Sequence, residues 1–174
     1  VTKMKTLIIS SSLSPDSRSF ILCSEVNSEL LERGVESKII DARKIKLTAY
    51  HYKESLKMKD LSKEISKADN LIIGMGVHCY SINDSLKIIL DNCFNDVTGK
   101  FFGILCAAGS EKSYLSTMHL TQICMNEWRM IQLPRIVYGT SKDFKNNKII
   151  SKDLNERIIQ FSEEFITIGK KLMN

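Results

Sequence analysis

Two prolines and eight glycines in 174 residues leave no long linker and no low-complexity tail. Aromatic residues make up 7% of the chain and are dispersed, so they form no stacking platform for single-stranded nucleic acid. The five cysteines, Cys23, Cys79, Cys93, Cys106 and Cys124, are odd in number and contain no CxxC pair. That usage excludes a disulfide framework and a zinc site, and suits reduced thiols in a cytosolic core. His51, His78 and His119 show no metal-ligand spacing, so no metal is expected. No GxGxxG motif is present, which excludes a separate dinucleotide site of the Rossmann type. No run of about 18 apolar residues and no signal-type h-region appears, and Val1-Thr2-Lys3-Met4 leads straight into a strand-like run. A cytoplasmic protein with no membrane partner is expected. The net charge of +5 is spread through helical segments, and the basic stretch Lys142 to Lys148 is interleaved with Asp and Asn. This describes a solvated surface and no nucleic-acid footprint.

What is present is regular. The length suits one domain spanning 1–174, with 43% apolar and 26% charged residues, the balance of a globular core. Lys5 to Ser10, Val35 to Asp41, Asn70 to Gly74, Lys100 to Ala107 and Met130 to Tyr138 read as strands. Pro134 marks an edge position or a bulge in the last of them. Helical periodicity covers Ser19 to Arg33 (stopped by Gly34), Ser55 to Lys67, the stretch from Asp84 as cap, Tyr114 to Arg129 and Asp153 to Met173. Residues 42 to 54 have no period, 76 to 83 read as a loop, and 142 to 148 as a polar turn-rich loop. Short strands without alternation, each followed by a helix, predict an α/β fold. The expected architecture is a flavodoxin-like three-layer sandwich, a five-stranded parallel sheet with helices on both faces.

In such a sheet ligands sit beyond the carboxyl ends of the strands, so loops 10–19, 74–83 and 106–114 should build the site. The first, Ser10-Ser11-Ser12-Leu13-Ser14-Pro15-Asp16-Ser17-Arg18-Ser19, brings hydroxyls, free helix amides and a guanidinium to the positive end of a helix dipole. Ser17 or Ser19 can cap that helix. This is the chemistry of a phosphate cradle, with the alternative of a capped loop without a ligand.

At these three loops the sequence resembles the NADPH-dependent FMN reductase family. Ser11-Ser12-Leu13 and Ser17-Arg18-Ser19 stand where the family has its phosphate turn and helix entry, with Ser11 replacing a usual glycine. The resemblance implies that Ser12, Ser17, Arg18 and Ser19 bind the FMN phosphate, with Ser10 and Phe20 bordering them in the cofactor-binding set. The family's Pro-x-Tyr loop and Leu-Lys helix start correspond to Gly76-Val77-His78-Cys79 and Leu86-Lys87, with Gly76 and His78 replacing Pro and Tyr. Backbone contacts from Gly76, Val77, His78 and Cys79 to the flavin edge are implied. His78 as an acid and Cys79 as a reactive thiol are the sharper alternatives. In the third element Ala108, Gly109 and Ser110 are implied to approach the pyrimidine side of the ring.

The implied activity is an NAD(P)H:FMN oxidoreductase. NADPH or NADH donates hydride to FMN within the flavin pocket, and no residue is required as a catalytic acid or base. The electron acceptor would be a small molecule or a partner monooxygenase. His119 falls near the position where reductases of two-component monooxygenases carry an inserted residue and a π-bulge; the alternative is an ordinary helical histidine. An FMN-bound quinone or azo reductase, a flavodoxin carrier, and a flavodoxin-like binding protein with eroded catalysis are the rival readings. The charge of +5 speaks against the carrier. Surplus apolar residues on the helices from Asp84 and Tyr114 point to a homodimer or homotetramer, as the family forms.

Overall fold

In the computed structural model, residues 4–173 are described. Val1–Lys3 and Asn174, the ends of the expected 1–174 domain, lie outside the described residues. The main strands are β1 (Lys5–Ser10), β2 (Glu36–Asp41), β3 (Asn70–His78) and β5 (Phe101–Ala107), with a short β4 (Ser81–Ile82) between the last two. The fifth parallel position is shared by β6 (Ile131–Gln132) and β7 (Val137–Gly139), and a small hairpin, β8 (Phe144–Lys145) and β9 (Lys148–Ile149), follows. The helices are α1 (Arg18–Glu32), α2 (Leu56–Lys67), α3 (Asp84–Cys93), α4 (Thr117–Trp128) and α5 (Lys152–Leu172). The strand order is β2-β1-β3-β5-β6, with β7 also on β5. The partners along this path run parallel, in the flavodoxin-like order.

Both faces of the sheet are covered, which is why its strands read as apolar runs rather than alternating ones. Ile8, Ile72 and Leu105 pack with Leu22, Val26 and Leu30 of α1 and with Leu154, Phe161 and Phe165 of α5. Leu7, Ile9, Leu71, Ile73 and Ile104 face α2, α3 and α4 through Leu61, Leu86, Ile89 and Leu120. Gly34, with φ of +73°, ends α1 in the left-handed conformation that favours glycine. Burial pushes the thiols of Cys23, Cys93, Cys106 and Cys124 up to about 12, so these cysteines pack as apolar side chains.

Three local expectations are corrected. The strand expected to end at Gly74 continues to His78 and turns back on itself as β4, so 76–83 is a hairpin and not a loop. The fifth strand is interrupted: Gly103 and Ile104 lie opposite four residues, 133–136, which accommodates Pro134 without a lost ladder bond. The loop expected over 142–148 contains the β8–β9 hairpin, turned by Asn146 and Asn147 at φ of 50° and 56°.

Candidate active site

The loop after β1 is a capped helix entry. Ser17 is the N-cap of α1, and its Oγ accepts from the amide of Phe20 at 3.1 Å. Ser19 lies 3.0 Å from it, oxygen to oxygen, and both serines are buried. No acidic residue occupies the first turn of α1, so its dipole is uncompensated by the helix itself. The amides of Ser12, Leu13, Asp16, Ser17, Arg18 and Ser19 have no partner among the described residues. Arg18 is exposed, with its guanidinium 5.9 Å from the centroid of the Phe144 ring, and it has no acidic partner among the described residues. Amides, hydroxyls and one uncommitted cation make a donor set that fits a phosphate.

The loop is braced from outside. Arg43 grips Asp41 at the end of β2 through Nε and Nη2, and donates to the carbonyl of Pro15 at 3.0 Å. Its guanidinium also stacks 4.4 Å from the centroid of Phe20. Phe20, half-buried, therefore supports the loop from behind. Burial raises the Asp41 carboxyl, but the hydrogen bonds and charge of Arg43 outweigh it and hold the group below the ordinary carboxylate range. A carboxyl depressed on folding contributes stability that is present above its ordinary value and lost as pH falls through the folded one. Asp41→Asn is expected to flatten the acid limb of the stability profile below about pH 4. It should cost roughly 1 kcal/mol at neutral pH after solvent screening, read by denaturant melts across pH.

Ser10 and Ser11 are both fully buried, and neither side chain reaches the loop surface. Ser10 ends β1, and its buried hydroxyl has no hydrogen-bond partner among the described residues. Ser11 faces the loop after β3. Its amide and its hydroxyl both donate to the carbonyl of Gly74, at 3.1 and 2.7 Å. Its carbonyl accepts from the hydroxyl of Ser85 at 2.6 Å. Asn83 completes the set by donating to Ser11 Oγ at 3.1 Å and Ser85 Oγ at 2.8 Å, and by accepting from the amide of Gly76 at 3.1 Å. The helix α3 expected to be capped by Asp84 instead has Asn83 as its N-cap residue, with the side chain committed to this network. Asn83 and Ser85 were not recognisable as site residues. Asx and Ser at a helix entry is an ordinary cap pattern, and the partner lies 72 residues away.

The other side of the site is the β3–β4 hairpin. Cys79 and Tyr80 form its two-residue turn at φ of 49° and 57°, a left-handed pair that neither residue type favours. His78 is exposed, with Nδ1 3.5 Å from Asp84 Oδ1, and Val77 is half-buried. Next to the hairpin, the amide of Ala108 donates to the carbonyl of Gly139 at 2.9 Å. The carbonyls of Gly109 and Ser110 accept from Ser141 and Tyr138 at 2.9 and 2.7 Å. The amides of Cys79, Gly109 and Ser110 are left without partners among the described residues. A Cβ at Gly109 would meet nothing within 4 Å, and one at Gly76 only the carbonyl of Ala107 at 4.0 Å. Open backbone with unused donors, on the strand ends next to the phosphate-type loop, fits the edge of a flat polar ring.

His119 stands on α4, and its Nδ1 lies 2.8 Å from the hydroxyl of Ser81 in β4. Of the two readings of that position, the π-bulge is absent among the described residues. A 3-10 segment, Glu111–Ser116, precedes a regular α4, so His119 is an ordinary helical histidine that ties the helix to the hairpin. No group of three or more metal-ligating side chains occurs among the described residues, and no helix among them is long and apolar enough to cross a membrane.

A family model described as NADPH-dependent FMN reductase matches residues 4–145. Among solved structures, an oxidoreductase from Corynebacterium diphtheriae is 18% identical with a TM-score of 0.74, over 97% of this chain and 98% of that one. An apo NADH:FMN oxidoreductase is 19% identical with a TM-score of 0.75, over 92% of this chain and 89% of that one. The NAD(P)H:(acceptor) oxidoreductase FerB of Paracoccus denitrificans is 13% identical with a TM-score of 0.75, over 97% and 98%. At such identities these likenesses speak for the fold alone. No curated protein matches the chain by sequence.

Proposed function

The chain belongs to the NADPH-dependent FMN reductase family, whose members are flavin-dependent oxidoreductases, and from that premise we propose that it is a cytoplasmic NAD(P)H-dependent FMN reductase. The observation that carries this reading is the placement of two kinds of donor on one sheet edge. The amides of Ser12, Leu13, Asp16, Ser17, Arg18 and Ser19 and the guanidinium of Arg18 would hold the phosphate. The open backbone of residues 76–79 and 108–110 would hold the rim of the ring.

FMN, when bound, supplies the hydride-accepting and electron-transferring chemistry. The chain's own residues bind and orient. Arg18 would neutralise the phosphate, the hydroxyls of Ser12, Ser17 and Ser19 would hydrogen-bond to it, and the capped end of α1 would add its dipole. The amides of Cys79, Gly109 and Ser110 would hydrogen-bond to the rim of the ring, and NADPH or NADH would be the hydride donor. In this reading no side chain is required to move a proton as an essential step. Electrons would then pass to a small-molecule acceptor or, with reduced FMN, to a partner monooxygenase.

The eroded-binding-protein reading loses one of its supports, because Ser11 turns its side chain inward and leaves the loop surface clear. The FMN-bound quinone or azo reductase differs in how tightly the flavin is held, and retention through gel filtration separates the two. A homodimer or homotetramer is also proposed. Most of α3's apolar residues are consumed by the core, but Leu115, Met118 and Met125 stay exposed around α4. Anaerobic titration with NADPH and with NADH is expected to bleach FMN in the presence of the protein. Absence of bleaching with both donors, or of FMN fluorescence quenching, defeats the reading.

A further inference from the structure

Ser11, Asn83 and Ser85 form a closed polar cluster at the base of the site, with 0%, 1% and 2% exposure. Every side-chain hydrogen-bond donor in it has an acceptor. The Ser11 hydroxyl goes to the Gly74 carbonyl, the Ser85 hydroxyl to the Ser11 carbonyl, and the two Asn83 amide protons to Ser11 Oγ and Ser85 Oγ. Asn83 Oδ1 takes the amide of Gly76. A fully satisfied buried network of this kind specifies one arrangement of the segments that it joins. It joins the first residue of the phosphate-type loop to the first residue of the ring-side hairpin, and it reaches no surface at which a ligand could touch it.

Resting on the flavin reading above, we infer that Asn83 is a positioning residue that sets the span between the two halves of the cofactor site, and so couples phosphate binding to ring binding. FMN is a two-ended ligand, with a phosphate at one end and a ring at the other. When both halves of a site sit on one rigid frame, the second end binds intramolecularly, at a high effective concentration. If the frame can breathe, each end still finds its half, but the gain from binding both at once falls. Riboflavin, which lacks the phosphate, engages only the ring side and has no such gain to lose. The network also accounts for a serine at position 11, where its hydroxyl is both a donor and an acceptor in the cluster.

The test compares FMN with riboflavin binding, by fluorescence quenching, in the unsubstituted protein, Asn83→Ala and the milder Ser85→Ala. Asn83→Ala is expected to weaken FMN about tenfold or more while riboflavin changes less than about threefold, collapsing the preference for the phosphorylated ligand. Ser85→Ala is expected to lower that preference about threefold, and it decides the matter if Asn83→Ala does not fold by circular dichroism. Equal weakening of both ligands, or of neither, overturns the inference and leaves the flavin reading standing. Failure of the unsubstituted protein to bind FMN removes the flavin reading and this inference with it.

Discussion

Gly74→Ala is expected to destabilise the protein by about 2 to 3 kcal/mol and to weaken FMN binding in the same step. The Cβ would lie 2.3 Å from the sulfur of Cys23, and 3.4 and 3.6 Å from the carbonyls of Ile9 and Ser19. Cys23 is fully buried on the second turn of α1, so its sulfur has no free space to enter. Relief requires α1 to move away from β3, and its first turn carries the capping serine and Arg18. Gly74 also supplies the carbonyl that accepts both donors of Ser11. Cys23→Ala removes the obstructing atom, at a cost of about 1 kcal/mol alone. Gly74→Ala with Cys23→Ala should therefore be less destabilised than the sum of the two by about 1 to 2 kcal/mol, measured by urea melts in a double-mutant cycle. Strict additivity would show that the helix tolerates the methyl without moving.

Arg18→Ala should weaken FMN by about tenfold to a hundredfold, the range for losing a charge-assisted hydrogen bond to phosphate, and leave riboflavin unchanged. Its stability effect should be small, because the side chain is exposed and its one aromatic contact, Phe144, is 5.9 Å away. The phosphate-specific loss should shrink as salt rises, since an exposed guanidinium is screened. Arg18→Lys is expected to recover only part of the affinity, because a point charge replaces a planar fork. An equal loss for riboflavin would place Arg18 in the ring subsite or in the fold.

The strand-helix alternation was legible because each buried strand is a short apolar run, such as Leu71-Ile72-Ile73, and each helix has a clear apolar stripe. The phosphate-type loop was legible for the same local reason: hydroxyls and Arg18 fall between such a run and such a stripe. The ring-side hairpin was not, since Cys79-Tyr80 lacks the Asn-Gly or Asp-Gly signature of a left-handed two-residue turn. Asn146-Asn147 did carry a usable signal for the β8–β9 turn, and it was outweighed by the polar composition around it. The Ser11–Asn83–Ser85 cluster is a contact across more than seventy residues, and no periodicity encodes which loop a buried asparagine will meet. The role of Ser11, which replaces a usual glycine of the family, was not legible because the direction of its side chain is set by the second loop, not by its own.

The break in the fifth strand bears on how copies of the chain can associate. An unbroken outer strand presents a row of free amides and carbonyls on which a second chain could lay its own strand. Here Pro134 lacks an amide, and residues 133–136 stand opposite only two residues of β5, which interrupts the ladder between β6 and β7. On the far side, β2 exposes Glu36 and Lys38, charged residues that discourage the same pairing. Continuous sheet growth into fibres is thus discouraged at both flanks. For the proposed homodimer or homotetramer this leaves the surface around α4, where Leu115, Met118 and Met125 are exposed and a closed assembly of fixed size can form.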